Sequence, residues 1–272
     1  MTVVKVKKEY FSIILILICL VVLFRYPDES KSGVMKGIEI CLYTIIPSLF
    51  PFMTLSTYIV KSNILSPFYK LLSGTSKVFF KQPACAISVI ILSMVGGFPI
   101  GIKMANDLYM QGQLTKEQAQ RLCLFCMNGG PAFIITAVGV NMLGSAKAGV
   151  IMFASLCFSS LIIGIFTRFL GDKNELKEHT PKRNTLVSLS SAVSDALQSV
   201  LGICAWVVIF SAITNCLKIC IEIENVYTAI SSFLEVTNGC VMLAGKMPIP
   251  VITAIIGFGG LCVHCQVLSE LK

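Results

Sequence analysis

Glycine, proline and asparagine interrupt the apolar stretches of this chain in mid-run, and that placement limits the fold more than any other feature. The breaks fall at Gly96-Gly97-Phe98-Pro99, Asn128-Gly129-Gly130-Pro131, Glu235-Val236-Thr237-Asn238-Gly239 and Gly257-Phe258-Gly259-Gly260. In water such residues simply end a helix. Here 55% of the 272 residues are hydrophobic and 13% are charged, against about 25% charged in a soluble domain, so the solvent is lipid. Unwound backbone exposes N–H and C=O groups that hydrocarbon cannot satisfy, and a break survives only beside protein, water or a bound solute. The pattern predicts an all-α polytopic membrane protein whose polar chemistry lies near the bilayer midplane.

The length allows at most roughly eight to ten crossings, and residues 1–272 read as a single membrane domain. The net charge of +8 comes from Lys and Arg in short segments between apolar runs. Membrane lipid, not nucleic acid, is the expected polyanionic partner. Residues 4–24 pair Lys5, Lys7 and Lys8 with an apolar run, which suits either a secretory signal or an uncleaved first helix. The sequel Arg25, Tyr26, Pro27, Asp28, Glu29 has no small-x-small cleavage site and favours the uncleaved helix. Most of the 12 cysteines lie in apolar stretches and read as small core residues. The pairs Cys123 with Cys126 and Cys262 with Cys265, the second enclosing His264, have the Cys-x-x-Cys spacing of metal-binding or redox-active pairs, but metal pairs of that type favour polar knuckles, and small core residues are the expected reading. No metal site and no resident cofactor are expected. No His-Glu-x-x-His, Gly-x-Ser-x-Gly or phosphate-binding loop occurs, so no enzyme is predicted.

Along the chain, residues 37–60 form a span bent by Pro47 and Pro51. Residues 61–82 carry Lys61, Lys70, Lys77 and Lys81 without an acidic residue, which places this segment and the N-terminus in the cytoplasm. Residues 64–72 are too short to cross and would lie along the surface. Residues 84–110 form a re-entrant hairpin broken at Gly96-Gly97. Thr115 and Gln118 form a capping box that starts a helix over 116–127, which breaks at Asn128 and resumes over 132–143. Residues 149–170 are an ordinary span and 171–183 a cytoplasmic loop. An amphipathic segment over 184–199 leads into the apolar run 200–217, followed by broken stretches at 227–245 and 248–268.

Span, broken hairpin and broken helix thus occur twice, in residues 37–143 and 184–272, with residues 144–183 connecting them. The charge assignments bring the first hairpin in from the cytoplasm and the second from outside, so the repeats are inverted, as in many secondary transporters. The second repeat ends at Lys272 with no counterpart to the span 149–170, and is expected to be shortened at its C-terminus. The candidate site comprises Gly96, Gly97, Asn128, Gly129, Gly130, Glu235, Thr237, Asn238, Gly259, Gly260, His264 and Gln266. Glu235 is the only formal charge between Glu224 and Lys246. At depth it would hold a coupling Na+ or H+, and at a helix end it would snorkel. His264 suits either a ligand or a hydrogen-bonded core residue, while Asn128 and Asn238 suit either solute recognition or capping. Lys103 and Asp107, four apart, suit an intrahelical pair.

At these same interruptions the sequence resembles the nucleoside-recognition, or Gate, domain group and, within it, the sporulation integral membrane protein YlbJ family. The likeness rests on Pro47-Ser48-Leu49-Phe50-Pro51-Phe52, on the run from Gly96-Gly97-Phe98-Pro99-Ile100-Gly101 to Gln120-Arg121, on Leu234-Glu235-Val236-Thr237-Asn238-Gly239, and on the run from Phe258-Gly259-Gly260 to His264-Cys265-Gln266. The resemblance implies a bacterial, Firmicute-type source and a relation to concentrative nucleoside transporters and the membrane part of the ferrous-iron transporter. It implies no particular substrate. Two functions follow as expectations: a secondary transporter for a small polar solute, or a non-transporting component of sporulation or envelope assembly. The second would bind lipid, a partner membrane protein or another copy of the chain.

Overall fold

A computed structural model describes residues 20–62, 74–169 and 188–270. Within them the secondary structure is helical, with no strand. The expected first helix falls mostly outside the described residues, of which 20–25 are helical. The surface segment 64–72 and the loop 171–183 also lie outside them.

Helix α1 (Pro27–Ile40) starts ten residues before the expected span, with Pro27 at its first turn beside Asp28 and Glu29. Proline lacks only a donor that is orphaned there anyway, and carboxylates favour the positive end of the helix dipole. A π-helical segment, Cys41–Ile45, passes into α2 (Ile46–Ser62), which contains Pro51. The axis bends by 53° between Pro27–Ile45 and Leu49–Ile59, the kink expected of Pro47 and Pro51. After a π-helical turn at Ser76–Phe80 come α3 (Ala86–Gly96) and α4 (Ile100–Met110). They form a hairpin, because Cys85 Sγ at its start lies 3.7 Å from the Gln113 carbonyl at its end.

Helix α5 (Lys116–Cys123) has the expected capping box: Gln118 N–H donates to Thr115 Oγ1 at 3.2 Å and Thr115 N–H to Gln118 Oε1 at 2.8 Å. It stops four residues before the expected end at residue 127. Pro131 offers no N–H and disfavours helical backbone at Gly130. The Phe125 carbonyl instead accepts the Ser160 hydroxyl and, at 3.4 Å, Asn128 Nδ2. The chain resumes as a π-helix, Ala132–Met142, and returns as α6 (Ala146–Thr167).

Helix α7 (Leu189–Cys220) is one unbroken element of 32 residues where the sequence suggested an amphipathic segment followed by a span. At 1.5 Å per residue it is about 48 Å long, enough to cross the hydrocarbon layer and project beyond it. Helices α8 (Glu224–Leu234) and α9 (Val236–Leu243) form a second hairpin. Its two ends are joined by a Lys246–Glu224 ion pair at 3.1 Å. The chain ends in α10 (Ile249–Phe258) and α11 (Gly260–Glu270). Among the described residues three helical stretches, Ala146–Thr167, Leu189–Cys220 and Ile249–Glu270, are long and apolar enough to cross a membrane, or four counting the bent α1–α2 pair.

The packing is that of a protein in lipid. Helix α6 turns Val150, Ile151, Phe158, Ile163 and Phe166 outward, and glycine allows the backbones inside to touch. A Cβ on Gly33 would lie 2.7 Å from the Ser211 carbonyl, and one on Gly37 would lie 2.8 Å from Val208 Cα, so α1 lies flush on α7. Gly139 and Gly149 bring the π-helix equally close to α6. One buried cluster joins α2, α3, α4 and α7. A second joins the π-helix, α6 and α9 to α11, with Ile102 of α4 reaching into it.

Candidate functional site

The four interruptions meet. In the first half, Gly97 has φ +78° and ψ −169°, a conformation open to glycine alone, and a Cβ there would stand 2.5 Å from Gly130 N. The hairpin break therefore seats directly on the break between α5 and the π-helix. In the second half Gly259 and Gly260 have φ +80° and +73°, and a Cβ on Gly260 would lie 3.1 Å from both the Leu234 carbonyl and Val236 N. There too a hairpin break seats on a helix break. The two pairs also touch: the Gly259 Cβ position lies 3.5 Å from the Phe98 ring and that of Gly129 lies 3.4 Å from Ile256.

Between them lies a cavity with about 70 Å³ of room for water-sized molecules. Its walls come from the α1–α2 kink (Thr44, Ile45, Leu49), the first hairpin (Phe98), the π-helix approach (Gly130, Phe133), α7 (Ile203, Val207), the second hairpin (Glu235, Val236, Thr237) and α11 (Val263, Gln266). The walls are mainly apolar, and Thr44, Glu235, Thr237 and Gln266 supply the polar side chains. A few directed polar groups on an apolar wall is the usual make-up of a small-solute site.

Glu235 is 1% exposed, so it does not snorkel. It is the residue between α8 and α9, in extended conformation, and its carboxylate caps α9 with both oxygens. Oε1 accepts from Thr237 N–H at 2.9 Å and Oε2 from Asn238 N–H at 2.7 Å. Two orphan donors and the positive end of the helix thus hold a carboxylate inside an apolar bundle. The capped carboxylate still lines the cavity, where it can meet a cation or proton.

Of the sequence candidates, Gly130, Glu235, Thr237 and Gln266 line the cavity. Gly96, Gly97, Gly129, Gly259 and Gly260 shape the breaks around it without forming its wall. Asn128 is buried away from the wall and holds the break to α6, donating to Ser160 Oγ at 3.0 Å. Asn238 contributes its backbone N–H. His264 is a half-buried helix residue: its Nδ1–H donates to the Gly260 carbonyl at 2.8 Å and its ring stands 5.0 Å from that of Phe258. Thr44, Phe98 and Phe133 were absent from the sequence candidates. The position of Phe98 within a break is a signal that could have found it, and that of Thr44 beside the Pro47 kink is another.

The two Cys-x-x-Cys pairs are free thiols, and Cys126 and Cys262 are buried. Among the described residues no group of three or more His, Cys, Asp or Glu is placed to hold a metal.

No family model matches the chain, and no solved structure matches it. The chain is 22% identical to the sporulation integral membrane protein YlbJ of Bacillus subtilis (strain 168) over 294 aligned positions, which cover 91% of this chain and 72% of that protein. Apolar crossing helices and likeness to an integral membrane protein lead to one conclusion: the chain is a helical membrane protein of YlbJ-like sequence.

Proposed function

We propose that the chain is a secondary-transporter-like membrane protein that moves a small polar solute or an ion through the cavity at Glu235. The observation that carries this reading is a cavity walled by three of the four helix breaks, at Phe98, Gly130 and Glu235 to Thr237, with the fourth seated on the Glu235 break at Gly260, and containing a buried, capped carboxylate. A charged group at that depth is costly, and solute or ion pathways are where such groups are kept. The cavity suits a few waters or a small ion with its ligands, and a larger solute such as a nucleoside would need the repeats to part. The Gate-domain likeness of the sequence agrees with that use, with Na+ or H+ as coupling ion and no catalytic role.

Inverted repeats with re-entrant hairpins belong to the same reading. The first hairpin lies at the start of α7, where Lys103 reaches the Asp195 carbonyl at 3.4 Å and the Ser199 hydroxyl. The second follows the far end of α7 at Cys220. Thr57, just before the basic segment 61–82, shares a cavity with Asp195, just after the basic loop 171–183. The end of α2 and the start of α7 thus lie on one side of the bundle, which supports a cytoplasmic assignment for the basic segments next to them in sequence and for the N-terminus.

Uptake by proteoliposomes carrying the full chain tests the proposal, with radiolabelled nucleosides, nucleobases and Na+ as probes. Uptake above empty liposomes that Glu235→Gln reduces about tenfold or more is the expected result. No uptake of any probe, or uptake indifferent to Glu235→Gln, counts against it. A second reading is favoured by the name of the Bacillus relative, a sporulation protein: a non-transporting component of spore or envelope assembly that binds lipid, another copy or a partner membrane protein. Cells lacking the gene that take up solutes normally but form defective spores would favour that reading.

A further inference from the structure

A second cavity lies one helical turn from the first. It has about 400 Å³ of room for water-sized molecules, against about 70 Å³ at Glu235. The two are stacked along the same helix faces. On α7, Ser199 of the larger cavity is one turn from Ile203 of the smaller. On α11, Glu270 is one turn from Gln266, and on α2, Thr57 is two turns from Leu49. Residues four apart on a helix share a face, so three separate helices carry one continuous surface from the first cavity to the second.

On α2, Met53 stands one turn from Leu49 of the smaller cavity and one turn from Thr57 of the larger, and with Ile100 and Met104 it is buried, at 1%, 2% and 2% exposed. These three line a small void of about 10 Å³ together with Thr57, Lys103 and Asp107 of the larger cavity. Methionine side chains are unbranched and repack readily, which suits a plug that opens and closes.

The larger cavity is polar and reaches the surface, where Gln198 and Ser269 are exposed. Its described lining is net acidic. Asp107, Asp195 and Glu270 stand against Lys103, whose ammonium is held by α7. The C-terminal ends of α4 and α11, at Met110 and Glu270, both open onto it, and helix C-termini carry partial negative charge. Asn106 Nδ2 donates to the Glu270 carbonyl at 3.1 Å and fixes the two ends together.

We propose that this cavity is the entrance vestibule for the site at Glu235, that it admits cations and cationic solutes in preference to anions, and that Met53, Ile100 and Met104 form the gate between the two. The proposal rests on the reading of the Glu235 cavity as a solute site, and it assigns that site a side of entry and a charge class.

The test places a cysteine reporter in the inner cavity, Val207→Cys, within the full chain. Its modification by a trimethylammonium methanethiosulfonate and by a sulfonate one is followed by peptide mass spectrometry, which separates it from the native cysteines. Gln198→Cys in the vestibule is the control for reagent access. Adding Met53→Ala is expected to speed modification of Cys at 207 about tenfold, since opening of a gate sets access to a closed site. The cationic reagent is expected to react about tenfold faster than the anionic one at both positions in low salt, with the difference shrinking in high salt. Met104→Ala gives a second opening of the gate should Met53→Ala elute as aggregate on gel filtration. Unchanged rates at 207 in a monodisperse gate variant, with the control still reactive, overturn the route, and equal rates for the two reagents overturn the charge preference. Faster modification without uptake of any solute leaves the route standing and sinks transport. Retained uptake with unchanged modification does the reverse.

Discussion

The two pairs of helix breaks solve one steric problem with different chemistry. In the first half Gly97 meets Gly130 backbone to backbone, and the nearby polar side chain, Asn128, is spent on Ser160 and Phe125. In the second half Gly260 meets the Leu234–Val236 backbone less tightly, at 3.1 Å from its Cβ position against 2.5 Å at Gly97, and a carboxylate caps the break and faces the cavity. The first pair is a close-packed joint, and the second is a joint with a charge in it. What differs is the residue in the gap, and the polar side chains of the cavity wall come mainly from the second half, Glu235, Thr237 and Gln266 against Thr44.

The comparison breaks most readily at the first joint. Gly97→Ala puts a Cβ 2.5 Å from Gly130 N and forces alanine into φ +78°, so a destabilisation of about 3 kcal/mol or more is expected. In thermal unfolding of the detergent-solubilised protein this appears as a large fall in Tm or loss of folded yield. Gly260→Ala, with its nearest contacts at 3.1 Å, should cost less. Gly257→Ala meets only the tip of Leu156, at 3.1 Å and without positive φ, and should change stability by no more than about 0.5 kcal/mol. Equal effects at all three positions would show that the joints are not close-packed.

Next in size is the charge in the second joint. Glu235→Ala leaves the Thr237 and Asn238 N–H groups without their acceptors in a buried place, and is expected to cost about 2 kcal/mol. Glu235→Gln keeps one acceptor oxygen and should lose less stability while losing any dependence on Na+ or pH. If both variants unfold at the parent temperature, the carboxylate is not the cap described above. Asn128→Ala, which removes the bonds to Ser160 and Phe125, should destabilise by about 1 kcal/mol and leave the solute or ion dependence of stability unaltered. That separation of stability from ligand response would sharpen the contrast between the joints. Thr115→Ala lies at the start of α5, outside both joints, and loss of the capping box there should cost about 1 kcal/mol or slightly less.

The breaks were legible in the sequence because glycine and proline act locally, and the same holds for the Thr115–Gln118 cap and the Pro47–Pro51 bend. Helix extents were less legible. Helix α1 carries Asp28, Glu29, Lys31, Lys36 and Glu39, a charge density that reads as a loop until tertiary partners are known. One such partner is Asn215, which accepts from Lys36 at 3.1 Å and donates to the Glu29 carbonyl at 2.7 Å. The Gly33 and Gly37 spacing was a missed signal for that contact, since glycines four apart mark a close helix pair in membranes. The cavity wall was half legible. Glu235 stands out as an isolated charge, whereas Phe98, Phe133 and Val207 look like any other apolar residue until the fold brings them together. Lys103 and Asp107 suggested a local pair, and only the structure shows Lys103 reaching across 92 residues to Asp195.

The most direct measurement is an electron cryomicroscopy map of the full chain in lipid nanodiscs, detailed enough to trace side chains. It should show unwound backbone at Gly97, Gly130, Glu235 and Gly259 around one cavity, with the Glu235 carboxylate against the Thr237 and Asn238 amides. Helices running unbroken through those positions, or a Glu235 side chain directed to the lipid headgroups, would contradict it.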